Sequence, residues 1–291
     1  MSNKSNITIA VTTYRRPHLL KKCLNSLCQQ TFPPPKIIII DNDPQKSARS
    51  IYNKYQKKLP LKYFFETKKG APHVRNAAID LVKTKYIGFI DDDCILDKNW
   101  FQKVVTHTQK NNLVFVIGTS LLQNKNNIFA QTQFYYYQQW FNSLVHKHPL
   151  PPELFDTKNI IINRKLLKQN KFKFDQIFSN SSISGFEDVD MGYQFANKKL
   201  YGLHDPKIIV FHQELDTFSK MTEKSFERGR LKYLLNKKWH IQEKYSNNLL
   251  KKLLNTGKKI TKHPKKIIPI VLTEIIDYAF KLGYNYQKKR N

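Results

Sequence analysis

Three consecutive aspartates, Asp91, Asp92 and Asp93, follow the apolar run YIGFI at 86–90. Adjacent carboxylates repel one another and cost stability unless a positive charge sits on them. At the carboxyl end of a buried strand that charge is usually a divalent cation. Mg²⁺ and Mn²⁺ take oxygen ligands, and Mg²⁺ commonly combines one or two carboxylates with water and substrate phosphates. A solvated acidic turn is the plainer alternative, but clusters of perturbed carboxylates tend to mark functional sites. Two further polar clusters close apolar runs, Thr12 to Tyr14 after ITIAV and Asp41 to Asp43 after KIIII. A second acidic group, Glu187, Asp188 and Asp190, lies in GFEDVDMGYQFANKK.

The elements that must position these groups are legible as alternating apolar runs and helical spacings. Residues 7–13, 36–41, 61–66 and 86–90 read as strands. Between them, 18–30, the stretch up to about 58, and 73–84 read as helices, the first placing Leu20, Cys23, Leu24, Leu27 and Cys28 at helical spacing on one face. Continuous apolar strands alternating with helices predict a mostly parallel sheet flanked by helices, in the α/β class. Ligands of such sheets bind outside the carboxyl ends of the strands, where the three clusters converge. A helix over 98–109 and strands over 113–119, 158–163 and 207–212 follow, the last ending at His212. The aromatic stretch 128–145 reads as core rather than as an acceptor platform. Neither G-x-G-x-x-G nor a P-loop occurs.

Composition bounds the function. Of 291 residues, 50 are Lys or Arg and 22 Asp or Glu, a net charge of +28. That excess favours anionic partners such as phosphorylated substrates, nucleic acid or a membrane surface, although an AT-rich genome would produce the same bias. Hydrophobic residues make up 40%, enough for a real core. The cysteines, Cys23, Cys28 and Cys94, form no C-x-x-C pair, which suggests a reducing compartment without a disulfide framework. The first apolar run is too short for a secretory segment, and no window of about 18 uncharged apolar residues exists to span a membrane. Residues 220–291 carry 19 Lys and Arg against 5 Asp and Glu, a net of +14. Apolar residues recur there at helical spacing (Leu249, Leu250, Leu253 and Leu254, then Ile268, Leu272, Ile275, Ile276 and Ala279). A tail of basic amphipathic helices is expected, suited to an anionic bilayer surface, with a solvated lid or an oligomer contact as alternatives.

The chain resembles the family 2 glycosyltransferases of the A-type nucleotide-sugar fold over roughly residues 6–215. The resemblance rests on the order and spacing of AVTTYRRPHLLKKCLNSLCQQTF, IIIIDND, KGAPHVRNAAID, YIGFIDDDC, NIIINRKLL, FDQIF, GFEDVDMGYQFANKKLYG and IIVFH. It implies that Thr12 and Tyr14 hold the nucleotide base, with Tyr14 as a stacking platform worth roughly 1–3 kcal/mol in comparable contacts. Asp41 would accept the ring N–H of the base, which favours uracil or thymine over cytosine. Arg75, of the Arg75–Asn76 pair, would contact phosphate or the acidic cluster. Asp91 and Asp93 match the D-x-D motif, with Asp92 between them. The first would touch ribose or sugar, the last a metal bridging the diphosphate; which aspartate ligates directly stays open because all three positions are Asp. His212 matches a further metal or diphosphate contact, and a purely structural histidine is the equal alternative.

Glu187 and Asp188 match the E-D motif of the acceptor side. Asp188 would be the general base of a single inverting displacement, with Asp190 the weaker candidate. The resemblance thus implies a metal-dependent inverting glycosyltransferase with Mn²⁺ or Mg²⁺. It would move a sugar from a UDP-sugar to a glycan acceptor, free or lipid-linked, in cell-surface polysaccharide or lipopolysaccharide synthesis. Residues 1–219 would form the catalytic domain, with a nucleotide-binding half at 1–97 and an acceptor half at 98–219, and 220–291 the basic helical tail. The expected location is cytoplasmic, peripheral on the inner face of the cytoplasmic membrane, with no nucleic acid as partner. Two other readings fit parts of the sequence: a metal-dependent nuclease or nucleotidyl transferase, and a non-enzymatic basic nucleic-acid-binding protein. The first leaves the ordered match from Thr12 to Asp41 unexplained, and the second has no recognition motif.

Overall fold

A computed structural model of the chain describes residues 6–109, 113–179, 185–242, 261 and 267–290. In chain order the strands are β1 (Ile7–Thr13), β2 (Ile37–Asp41), β3 (Leu61–Phe65), β4 (Tyr86–Asp91), β5 (Cys94–Leu96), β6 (Phe115–Leu122), β7 (Asn159–Asn163) and β8 (Leu203–His212). The helices are α1 (Pro17–Cys28), α2 (Arg49–Tyr55), α3 (Ala71–Leu81), α4 (Trp100–Thr108), α5 (Ile128–Leu144), α6 (Arg164–Gln169), α7 (Glu187–Asn197), α8 (Phe218–Lys238) and α9 (Ile267–Arg290).

Two compact units divide the chain. The first comprises Met1–Leu121, Leu144–Asn180 and Glu187–His212; the second comprises Leu122–Ser143, Ser181–Phe186 and Gln213–Asn291. The eight strands run in the order β3-β2-β1-β4-β7-β6-β8-β5. β3, β2, β1 and β4 pair in parallel, and β7, β6, β8 and β5 bring antiparallel pairings. β1 and β2 are buried along their whole length, as expected for strands covered on both faces. In α1, Pro17 sits at the start, where its missing N–H costs nothing, and Leu20, Cys23, Leu24 and Leu27 are buried.

Register lines up the chemistry. Thr13 pairs with Asp41 across β1 and β2, and Thr12 with Asp91 across β1 and β4. The polar residues after each apolar run therefore share one end of the parallel half. The antiparallel half adds a strand unread in the sequence. β5 is three residues long, too short to show a period, yet its pairing sets Cys94 opposite His212. β8 begins at Leu203, earlier than expected, because its first residues, LHDPK, are not buried and carry no apolar run to mark a strand.

In the second unit, α8 and α9 pack backbone to backbone. A Cβ at Gly229 would meet the Phe280 carbonyl, and one at Gly283 would meet that of Phe226. Ser225 Oγ donates to the Ile276 carbonyl at 2.7 Å. The aromatic stretch expected as core is the helix α5, where Tyr135 is buried but Tyr136 and Trp140 are exposed. Leu249, Leu250, Leu253 and Leu254 lie outside the described residues.

Candidate active site at the strand ends

The turn after β1 is held in a costly shape. Arg15 has φ of 55°, a left-handed conformation disfavoured for side chains with a Cβ. Its Nε donates to Asp43 Oδ1 at 3.2 Å, and its guanidinium carbon lies 5.3 Å from the centre of the Tyr14 ring. Lys69 Nζ lies 5.8 Å from the same ring. Tyr14 thus stands among cations at the strand end, half-buried. Thr12 is buried and its Oγ1 donates to Asp91 Oδ1 at 3.3 Å.

Asp41 is fully buried. Its Oδ1 accepts the Asp43 N–H at 3.0 Å, and its Oδ2 accepts the Ala48 N–H at 3.2 Å and the Tyr63 hydroxyl at 2.9 Å. The carboxylate therefore organises the loop from β2 to α2. Burial pushes the Tyr63 hydroxyl up, and the bond to Asp41 adds to the rise. Asn42 fixes the neighbouring loop, donating to the carbonyls of Glu66 and Lys68 and accepting from the Gly70 N–H, each at 2.8 Å.

The three aspartates diverge, since successive residues leaving a strand point to opposite sides. Asp92 turns inward with no exposed surface. Thr13 Oγ1 donates to its Oδ2 at 2.6 Å, and Arg16 Nη2 reaches its Oδ1 at 2.5 Å. Arg16 Nη1 also donates to Asp93 Oδ2 at 2.7 Å, so one guanidinium bridges two carboxylates. Burial pushes the Asp92 pKa up to about 7; Arg16 and the Thr13 bond oppose the rise, while Asp93 and Asp91 add to it. The same carboxylates, after burial itself, push up the thiols of Cys23 and Cys94 beneath them. Those cysteines are buried neutral packing groups, without the thiolate character of a nucleophile.

Asp91 faces Arg75. The Arg75 side chain is buried, yet its Nη2 lies 3.4 Å from Asp91 Oδ1 and its Nη1 donates to Glu187 Oε1. Burial would lower its pKa, but Glu187, Asp91 and Asp188 outweigh that and hold it charged. Asn76 clamps Phe174 in both directions, donating to its carbonyl at 2.8 Å and accepting its N–H at 2.9 Å. Arg75 on α3 therefore ties the end of β4 to the start of α7, while Asn76 ties α3 to the backbone at Phe174. Glu187 is buried in this tie. Asp188, next to it, is half-buried, and its Oδ1 accepts the Val189 N–H at 2.8 Å. Asp190 is fully buried and accepts from Gln194 Nε2 at 2.9 Å. Asp188 is thus the least buried carboxylate at this helix start.

His212 Nε2 lies 3.4 Å from Asp93 Oδ1, as the pairing of β5 with β8 requires. Among the described residues, no three His, Cys, Asp or Glu side chains gather as a cation cage. One carboxylate and one imidazole suit Mn²⁺ or Mg²⁺ only with further ligands from a bound diphosphate and water, which is how such cations commonly sit. The donor set at Asp93 and His212 fits that role, while Asp91 is turned to Thr12 and Arg75. The structure adds Thr13 and Arg16, which sequence reasoning passed over. Three adjacent carboxylates do need a positive partner; the chain supplies part of it from the first turn after β1.

Comparison with known proteins follows the same outline. The profile of glycosyl transferase family 2 matches residues 8–172, more than half of the chain. The hyaluronan synthase of Pasteurella multocida is 23% identical over 284 residues, covering 84% of this chain and 29% of that protein. The Escherichia coli UDP-Glc:alpha-D-GlcNAc-diphosphoundecaprenol beta-1,3-glucosyltransferase WfgD is 25% identical over 125 residues, 43% of this chain and 49% of that protein. The chain thus spans less than two thirds of either relative. The mannosyltransferase PcManGT from Pyrobaculum calidifontis, solved with GDP-Man and Mn²⁺, superposes with a TM-score of 0.61 at 15% identity, over 98% of this chain and 73% of that one. The likeness shows the A-type fold.

Proposed function

This chain belongs to glycosyl transferase family 2, and from that premise we propose that it moves a sugar from a UDP-sugar to a glycan acceptor with inversion at the anomeric carbon. One observation carries the reading. Arg75 holds Asp91, on the nucleotide side, and Glu187, at the start of the acceptor-side helix, through a single buried guanidinium. That tie supports reading Asp188, the neighbour of Glu187, as the group that faces a donor diphosphate bound at the strand ends.

In this reading Tyr14 and Thr12 receive the base and ribose, and Asp41 serves the base by fixing the loop beside it. Asp93 and His212 would hold Mn²⁺ or Mg²⁺, which supplies charge neutralisation for the departing diphosphate. Asp91 and Arg75 orient the sugar side of the donor, and Asp92 with Arg16 fixes the turn that aims Asp93. Asp188 takes the proton of an acceptor hydroxyl as its oxygen attacks the anomeric carbon. The new carbon–oxygen bond forms as the bond to the diphosphate breaks, and the nucleoside diphosphate leaves with the electron pair. One displacement from the opposite face inverts the centre. Glu187 acts through Arg75 as a positioning residue.

Residues 1–219 carry this chemistry, and 220–291 serve docking. The glucosyltransferase WfgD is named for a diphosphoundecaprenol acceptor, and a lipid-linked acceptor in cell-surface glycan synthesis is proposed here too. Family membership leaves the nuclease and nucleic-acid-binding readings without support.

A thermal-shift panel of nucleotide sugars with Mn²⁺ tests the donor. A ligand at about 100 times its Kd stabilises by about 2.7 kcal/mol, a rise of several degrees. UDP-sugars are expected to raise the transition more than GDP- or CDP-sugars, and only with the cation present. A response to GDP-sugars alone, or to none, contradicts the assignment.

A further inference from the structure

α9 is apolar on the wrong side. Ile270, Ile276 and Gly283 are buried, as a helix packed on α8 requires. The outward side nevertheless carries Ile268 (60% exposed), Val271 (47%), Ile275 (37%), Tyr278 (63%), Leu282 (46%) and Tyr286 (42%). At 3.6 residues per turn these six fall within an arc of about 80° and form a ridge about 27 Å long. A lone exposed leucine needs no explanation, but a continuous stripe marks an interaction surface.

Charge identifies what it meets. The sequence just before α9, KKITKHPKK, carries five lysines, and the helix ends in Lys288, Lys289 and Arg290. Along the helix, Asp277 is paired with Lys281 at 3.1 Å. The ridge therefore runs into a basic helix end, and the sequence that leads into the helix is basic as well. A second copy of a chain with a net charge of +28 would bring like charge to like charge. An anionic bilayer matches both features: the ridge enters the boundary between headgroups and acyl chains, lysines reach the phosphates, and Tyr278 and Tyr286 suit the interface. Among the described residues no helix is long and apolar enough to cross a membrane, so α9 lies along the surface.

We propose that the outward face of α9 docks the chain on an anionic phospholipid surface. This rests on the reading above, with its lipid-linked acceptor, only for its purpose; its test uses no transfer step. The full chain is floated with phosphatidylcholine vesicles, with and without phosphatidylglycerol, at low and high salt. The expected result is about tenfold or greater enrichment on anionic vesicles, weakened by salt. Ile275→Glu with Leu282→Glu is expected to abolish it while UDP and Mn²⁺ binding persists, which shows the fold intact. Tyr278→Trp, a change at an exposed position, is expected to give emission that shifts to the blue and is quenched by brominated lipid. The proposal is overturned if the native chain stays off anionic vesicles, or if the double variant binds them undiminished. It is equally overturned if sedimentation shows a dimer that the double variant dissolves and no vesicle binding.

Discussion

Asp188→Asn is expected to lower kcat by about 10²–10⁴, the usual contribution of a positioned general base. Asparagine keeps the side-chain shape and still accepts at a helix start, so the Val189 contact survives. The donor and its cation are bound elsewhere, so UDP and Mn²⁺ affinity should change little. Thermal stability should stay within about 0.5 kcal/mol, as for other substitutions away from the core. Asp190→Asn serves as the contrast. Asp190 is fully buried against Gln194, so its loss should appear in stability before it appears in the chemical step. Transfer by Asp188→Asn within about threefold of native, at saturating donor and acceptor, would remove Asp188 as the base; the base contribution is far larger than that.

Arg75→Met is expected to destabilise the chain by about 3–5 kcal/mol, the typical result of removing one partner from a buried ion pair. The guanidinium touches both Asp91 and Glu187 from a buried position, so its removal strands Glu187 inside the protein without a counter-charge. Adding Glu187→Gln to Arg75→Met should restore part of the loss, because it removes the stranded charge. Transfer should remain poor in the double variant, since the link from the end of β4 to the start of α7 is gone. Urea unfolding gives the first quantity and steady-state kinetics the second. If the single variant unfolds at the native midpoint, Arg75 is a surface contact and the tie between the two acidic groups has no energetic content.

The parallel half of the fold was legible because buried strands read as continuous apolar runs. ITIAVTT, IIII and YIGFI became β1, β2 and β4 within a residue or two. β5 was not legible: three residues cannot display a period, and its existence depends on pairing with β8 far along the chain. The direction of the aspartates was partly available, since neighbours leaving a strand alternate sides; Asp92 turning inward follows from that rule once β4 is taken to end at Asp91. Arg16 was hidden for another reason. Nothing in YRRPHLL says which arginine turns under the acidic run, and the choice is made by the left-handed turn at Arg15, a tertiary feature. Asp41 shows the limit of motif transfer. Its position at the strand end was read correctly, but the three donors that occupy it come from Asp43, Ala48 and Tyr63 and emerge only with the loop folded.

The central claim is that Asp93 and His212 complete, with a donor diphosphate, the shell of a divalent cation at the strand ends. Crystals grown with Mn²⁺ and UDP, measured at a wavelength where manganese scatters anomalously, test it directly. The expected map has one strong peak bonded to the Asp93 carboxylate and to oxygens of both UDP phosphates, with His212 beside it. UDP bound in ordered density with no manganese at Asp93, or with manganese elsewhere in the chain, would contradict the account.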